Sequence, residues 1–340
     1  MKEFFINATK TYPVRIQENT DGFTAFIKKL VKGEKIALIT DERVNAIYGE
    51  RVEKQLKNYR VTKIVLPVGE TQKNAENHLK IIQTLAENGF TRADTILTLG
   101  GGVVGDLGGF VAATYMRGIA WINLPTTLLA SVDACVGGKT GINLSVGKNL
   151  CGCFYQPDGV FVCTAFFSTL DERERKNGYG EIIKYALLSE TLTEEDLKGE
   201  IDETLIEKCL AIKQEIVEAD EKEQGKRKIL NLGHTVAHAV EVLSGFTLSH
   251  GECVAKGLFA AVKISRKQLG LSDEESAKIL RILQSKGHDL SLPYSLDKII
   301  EAVQTDKKRT ETGVEFVLLE KIGKPIVKRL SFSELLESLE

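Results

Sequence analysis

The sequence predicts an α/β protein, with an open and mostly parallel sheet in its first half and a mainly α-helical second half. Three observations carry this. Short apolar runs rich in β-branched residues alternate with stretches of helical period through the first half. One of those runs ends in a glycine-rich turn, with six glycines among the ten residues 100–109. Four of the six prolines lie at or before Pro157 and none follows until Pro293, which leaves a long stretch where helices run uninterrupted. The chain therefore reads as a Rossmann-like domain over residues 1–169 and a helical domain over 170–340, with the boundary near Thr169.

Taken in order, residues 35–40 (KIALIT), 63–68 (KIVLPV) and 95–99 (TILTL) are short continuous apolar runs, the pattern of strands buried on both faces. Helical patterns over 44–56 and 74–88 separate them, which makes the strands parallel neighbours. The third run feeds LGGGVVGDLGGF (99–110), a strand, a glycine turn and then a helix. Backbone N–H groups there approach an anion closely, because no Cβ intervenes, and the helix dipole favours the negative charge. In PTTLLASVDACVGGKTGINLSVGKN (125–149), Lys139 and Lys148 stand among glycines and small polar residues, which reads as a tight loop with a second anion site. A cofactor pyrophosphate beside a phosphorylated substrate accounts for both. Residues 205–217 are representative of the helical period beyond Thr169, and a hairpin is expected at 314–319 and 325–330.

The bulk composition excludes several classes. Charged residues make up 27% of the 340 and the formal net charge is −2, so no charge field points to nucleic acid or a membrane surface. No apolar run reaches membrane-spanning length, and the N-terminus lacks the long apolar core of a signal peptide. The six scattered cysteines form no CxxC pair and read as free thiols in a reducing cytoplasm, with Cys151 and Cys153 as packing residues.

Three of the five histidines fall between 234 and 250. His234 and His238 are spaced to share one helical face, and His250 opens HGEC. The glutamate of a zinc-protease HExxH is missing. Glu181, in GYGEIIKY, together with two of these histidines makes a three-ligand set with an open position, as a catalytic divalent metal requires. A lone histidine is more often a hydrogen-bonded core or surface group; the clustering favours the metal. Arg227 and Asn231 precede His234 at helical spacings and are expected to face the same cleft. Asp41 follows the first strand, where an acid can hold a ribose hydroxyl or cap the next helix. Glu70 and Lys73 follow the second strand at the ligand-binding edge. Arg117 alone reads as a surface charge, and Lys307 with Lys308 as a basic patch.

The motifs GGGVVGDLGGF, PTTLLASVDACVGGKTGIN, GKN, GEIIKY, LNLGHTVAHA, HGECVAKG and DKK, in this order, resemble those of the 3-dehydroquinate synthase family across nearly the full length. The resemblance implies NAD in the first domain, zinc or cobalt in the second, and a homodimer. It implies a carbon–oxygen (phosphate) lyase converting 3-deoxy-D-arabino-heptulosonate 7-phosphate to 3-dehydroquinate by transient oxidation, phosphate elimination, re-reduction and aldol closure. Carried over by position, the metal ligands fall on Glu181, His234 and His250. Cofactor positions fall on Asp41, Glu70, Lys73, Gly101, Gly102, Val103, Asp106, Thr126, Thr127, Asp133, Lys139, Lys148, Thr169 and Leu170. Catalytic and substrate positions fall on Lys139, Lys184, Lys213, Arg227, Asn231, His238 and Lys307, with Asp133 and Asn149 as substrate contacts. Arg117 matches an arginine that reaches the neighbouring subunit's substrate phosphate, and His238 is the candidate for proton transfer. Gly180, Ala237 and Asp171 depart from the common family residues alanine, glycine and proline; the two beside the ligands imply local repacking without lost ligation. The alternatives are another sugar-phosphate cyclase, of the 2-deoxy-scyllo-inosose or 2-epi-5-epi-valiolone synthase type, or a metal-dependent oxidoreductase of the glycerol dehydrogenase kind.

Overall fold

The computed structural model describes residues 1–304, 309–310 and 313–340. They form two compact units, one of Met1–Leu170 with Ile201–Glu221 and the other of Asp171–Glu200 with Lys222–Glu340.

The first unit carries β1 (Lys2–Asn7), β2 (Thr11–Gln17), α1 (Phe23–Leu30), β3 (Lys35–Asp41), α2 (Glu42–Val44) and α3 (Glu50–Gln55), the last two joined by a π turn at Asn45–Gly49. There follow β4 (Arg60–Leu66), α4 (Ala75–Glu87), β5 (Thr95–Gly100), α5 (Gly102–Thr114), β6 (Ala120–Pro125), β7 (Lys139–Leu144), β8 (Gly147–Phe154) and β9 (Gly159–Cys163). Seven strands form one sheet in the order β1-β2-β9-β6-β5-β3-β4, in which only the β1–β2 pair is antiparallel. Alternate residues of β3 enter opposite cores. Ile36 and Leu38 pack with Phe23, Phe26 and Phe161, while Ala37 and Ile39 pack with Ile81, Leu107 and Trp121. Burial on both faces is why the strand reads as an unbroken apolar run. Strand order reverses between β3 and β5, so the crevice beyond their carboxyl ends, at Asp41 and Gly100, is where an open sheet of this kind takes a ligand.

Local chemistry sets the boundaries. β4 starts three residues before the expected strand and stops at Leu66, because Pro67 donates no ladder hydrogen bond. Asn74 caps α4 by accepting from the Asn77 amide at 2.8 Å. The expected lysine loop is a hairpin. Lys139 opens β7 opposite Phe154, and Lys148 is the second residue of β8. Gly141 and Gly152 face each other so closely that a Cβ on Gly152 would lie 2.1 Å from the Thr140 carbonyl oxygen. The glycines that suggested a loop are there to let two strands touch.

The second unit carries α6 (Glu172–Leu188) and α7 (Glu194–Lys198); α8 (Glu203–Ala219) belongs to the first unit. A single division near Thr169 therefore leaves α8 on the wrong side. Leu205, Ile206, Cys209 and Leu210 bury its inner face, and the Lys213 ammonium bonds Asp133 of the first unit. The second unit continues with α9 (His234–Leu243), α10 (His250–Leu269), α11 (Asp273–Ser285), α12 (Leu296–Gln304), β10 (Arg309–Thr310), β11 (Gly313–Lys321), β12 (Lys324–Leu330) and α13 (Phe332–Leu339). The β11–β12 ladder is the expected hairpin, in a helical unit as read from the sequence.

Candidate active site

In the first unit, α5 begins at the carboxyl end of β5 with Gly101 as its N-cap, so Gly101, Gly102 and Val103 present the free amides of the first turn. Thr127 lies against that turn, since a Cβ on Gly101 would fall 3.0 Å from its Cγ2. The Thr126 amide bonds the Gly100 carbonyl at 2.9 Å. Asp41 ends β3 and caps α2, accepting from the Val44 amide at 2.9 Å, so its capping role is realised at the ligand-binding edge.

Glu70, Lys73 and Asp106 form one network. Lys73, 4% exposed, reaches Asp106 at 3.0 Å and Glu70 at 3.3 Å. Burial works against its charge, but Asp106 and Glu70 outweigh it and raise its pKa. Asn143, which sequence reasoning missed, joins the network. Its side chain donates to Glu70 at 2.7 Å and accepts from the Asn149 amide at 3.0 Å, which holds Asn149 in left-handed backbone at φ 55°. Asp133, in the π turn Ala130–Ala134, accepts from Lys213 at 2.7 Å. Thr169 and Tyr48 share a 2.6 Å hydroxyl contact just before Leu170. Arg117 is exposed at φ 66°, following Met116 at φ 49°, so two consecutive non-glycine residues occupy left-handed backbone.

In the second unit three helices bring Glu181, His234 and His250 together, with one donor atom from each within 4.8 Å of the others. Glu181 Oε1 lies 3.2 Å from His234 Nε2 and 3.0 Å from His250 Nε2. Each outer nitrogen has an acceptor. His234 Nδ1 lies 3.1 Å from the Leu232 carbonyl and His250 Nδ1 lies 3.3 Å from Glu241 Oε1. With a metal bound, those acceptors would take the Nδ1 protons and leave both Nε2 atoms free to ligate it. Two imidazoles and one carboxylate suit zinc or cobalt and leave a coordination position open.

Burial of Glu181 opposes its charge, yet Lys184 and His234 hold its carboxyl well below the ordinary value. Lys184 pairs with Glu181 on the same helix. Burial pushes His234 down to about 4. For His250 burial is again opposed, here by hydrogen bonds to Glu181 and Glu241, and the pKa is raised to about 10.

The local sequence makes this convergence. Gly233 at φ 78° starts α9 on His234, and a Cβ there would lie 2.8 Å from the Leu258 amide. A Ser249–Glu252 capping box starts α10 on His250. A Cβ on Gly180 would fall 2.6 Å from the Gly251 carbonyl oxygen, so glycine at this position lets α6 and α10 cross tightly beside the ligands. The His238 ring centroid is 5.5 Å from that of His234. Arg227 is buried and Asn231 donates to Glu223 at 2.6 Å. Both lie on a 3₁₀ turn, Lys226–Asn231, which Leu232 and Gly233 separate from α9, so the expected continuous helical spacing does not hold. Glu223, at φ 59°, was not singled out from the sequence. Lys307 lies outside the described residues.

A 3-dehydroquinate synthase N-terminal model matches residues 63–177 and a 3-dehydroquinate synthase C-terminal model matches 178–309. The chain belongs to the 3-dehydroquinate synthase family. The 3-dehydroquinate synthase of Clostridium acetobutylicum is 44% identical over 91% of this chain and 90% of its own length. That of Clostridium tetani is 39% identical over 100% and 95%. Among solved structures, a 2-deoxy-scyllo-inosose synthase complexed with carbaglucose-6-phosphate, NAD⁺ and Co²⁺ superposes with a TM-score of 0.90 at 25% identity, covering 99% of each chain. An iron-containing alcohol dehydrogenase shares the fold at a TM-score of 0.63 and 13% identity, covering 99% and 98%. Family membership thus agrees with the motif resemblance. No helix among the described residues is long and apolar enough to cross a membrane.

Proposed function

We propose that the chain is a 3-dehydroquinate synthase, taking 3-deoxy-D-arabino-heptulosonate 7-phosphate to 3-dehydroquinate and phosphate. The observation that carries this reading is the Glu181–His234–His250 set in a chain of this family. A carbon–oxygen bond to phosphate breaks and the net oxidation state is unchanged, which makes the enzyme a lyase. When bound, NAD supplies reversible hydride transfer and a divalent metal supplies Lewis-acid polarisation of the substrate hydroxyl.

The chain's own groups do the rest. Glu181, His234 and His250 would hold the metal. The free amides of Gly102 and Val103 would donate to the cofactor pyrophosphate, with Asp41 toward a ribose and Lys73 held by Asp106 and Glu70. Lys139, Lys148, Lys184, Lys213 and Arg227 are cations suited to a phosphorylated sugar acid. The substrate phosphate itself takes the C–H proton, so a strong protein base is unnecessary. His238 moves a hydroxyl proton through a bound water. Asp133, Asn149, Asn231 and Lys307 complete the substrate contacts. Arg117, exposed on its left-handed turn, serves the phosphate of a neighbouring copy in a homodimer. The six cysteines form no disulfide, in agreement with a reducing cytoplasm.

The test is phosphate release from the heptulosonate phosphate, with and without NAD and a chelator, while NADH absorbance is followed. Release that needs both, with no NADH build-up, is expected. Steady NADH accumulation with another alcohol and no phosphate release overturns the reading in favour of a dehydrogenase. Turnover of glucose 6-phosphate in place of the heptulosonate marks a cyclase of the 2-deoxy-scyllo-inosose kind.

A further inference from the structure

We propose that Glu241 is a positioning residue of the metal centre, acting through His250. The proposal rests on the metal-binding reading of Glu181, His234 and His250. Glu241 is 5% exposed and stands in the apolar helical run HTVAHAVEVL, where a carboxylate is costly to bury unless something charged or polar needs it. It follows His234 by seven residues and His238 by three, so all three lie on one face of α9. Its Oε1 lies 3.3 Å from His250 Nδ1, while His250 Nε2 turns to Glu181 Oε1 at 3.0 Å.

The two histidines are held differently. His234 Nδ1 meets the neutral Leu232 carbonyl at 3.1 Å, whereas His250 Nδ1 meets a carboxylate. A carboxylate partner fixes the tautomer and ring orientation and makes the imidazole the more basic ligand. His250 is also the first residue of α10 and its side chain is 31% exposed, so its ring has less packing to hold it than the buried His234. Glu241 supplies that restraint from α9, the helix that carries His234. It thereby sets the spacing of the two imidazoles, and its charge joins Glu181 in neutralising a divalent ion.

The experiment measures zinc affinity by chelator competition and the visible spectrum of the cobalt-loaded protein. Three full-length variants are compared with the unchanged chain. Glu241→Gln keeps shape and a neutral acceptor, and is expected to weaken zinc about tenfold; Glu241→Ala is expected to weaken it toward about a hundredfold. Both should shift the cobalt bands. Glu252→Ala removes the side-chain cap at the start of α10 but leaves the Glu241–His250 contact, and is expected to stay within about threefold. Glu241→Gln carries the test by itself if the alanine variant does not fold. Unchanged affinity and spectrum in Glu241→Gln overturn the proposal and leave the metal reading standing. Equal losses in Glu241→Gln and Glu252→Ala also overturn it, by assigning the effect to the helix start. Absence of zinc uptake by the unchanged chain overturns both readings together.

Discussion

The residues nearest the proposed metal ligands divide, in this reading, into those that would hold the ion and those that would act beside it. His238 lies on the same face of α9 as His234 but outside the converging donor set of Glu181, His234 and His250. His238→Ala is therefore expected to lower turnover by about 10²- to 10⁴-fold while leaving zinc content unchanged, read by steady-state kinetics and metal analysis. Loss of zinc in that variant would make His238 a ligand and the division wrong. His288 is a different case. It is 5% exposed, and burial pushes its pKa down from 6.5 to about 4. Below pH 6.5 the unfolded chain takes up a proton that the folded chain resists until about pH 4. The contribution is thus present above pH 6.5 and is lost as pH falls through that window. Stability is expected to drop by on the order of 1–3 kcal/mol across it. Urea unfolding above and inside the window checks this, and His288→Phe should flatten the slope.

Among the elements, the α6–α10 crossing decides whether the site can exist. Gly180 and Gly251 allow backbone contact between these helices, and an alanine at position 180 does not fit this geometry without a shift. Gly180→Ala is expected to part the helices, cost about 1–3 kcal/mol of stability and weaken zinc binding. A thermal melt and chelator competition measure both; unchanged values would mean that the crossing has slack. In the first unit, the carboxyl ends of β3 and β5 perform the matching task by setting Asp41 and the Gly101 turn at the point where strand order reverses. The π turn at Asn45–Gly49 interrupts the helix expected over 44–56 and brings Tyr48 into the core against Phe166.

For the molecule as a whole, the proposed homodimer makes each active site dependent on Arg117 of another copy. Mixing Arg117→Ala subunits with His238→Ala subunits is then expected to restore activity that neither variant has alone. The mixed dimer contains one site with His238 intact and Arg117 supplied in trans. Mixtures that stay as inactive as the parents, under conditions where subunits exchange, would place Arg117 in its own subunit's site or outside the chemistry.

How much of this was legible in the sequence follows from the range of each signal. The parallel strands, the glycine turn at the start of α5, the C-terminal hairpin and the i,i+4 pair of histidines are local patterns, set by periodicity and by glycine's missing side chain, and each reads directly from neighbouring residues. Glu241 was legible in the same way, three residues past His238, but its meaning needs His250, which arrives on another helix. The hairpin of Lys139 and Lys148 was hidden because glycines in a tight strand pair look like glycines in a loop until the partner strand is in place. Membership of α8 in the first unit, the Lys73–Asp106–Glu70–Asn143 network and the crossing at Gly180 all depend on contacts between residues far apart in the chain. Local periodicity fixes what kind of element forms and which face is apolar. Packing alone determines which faces meet, because that choice is made by the free energy of burying them together.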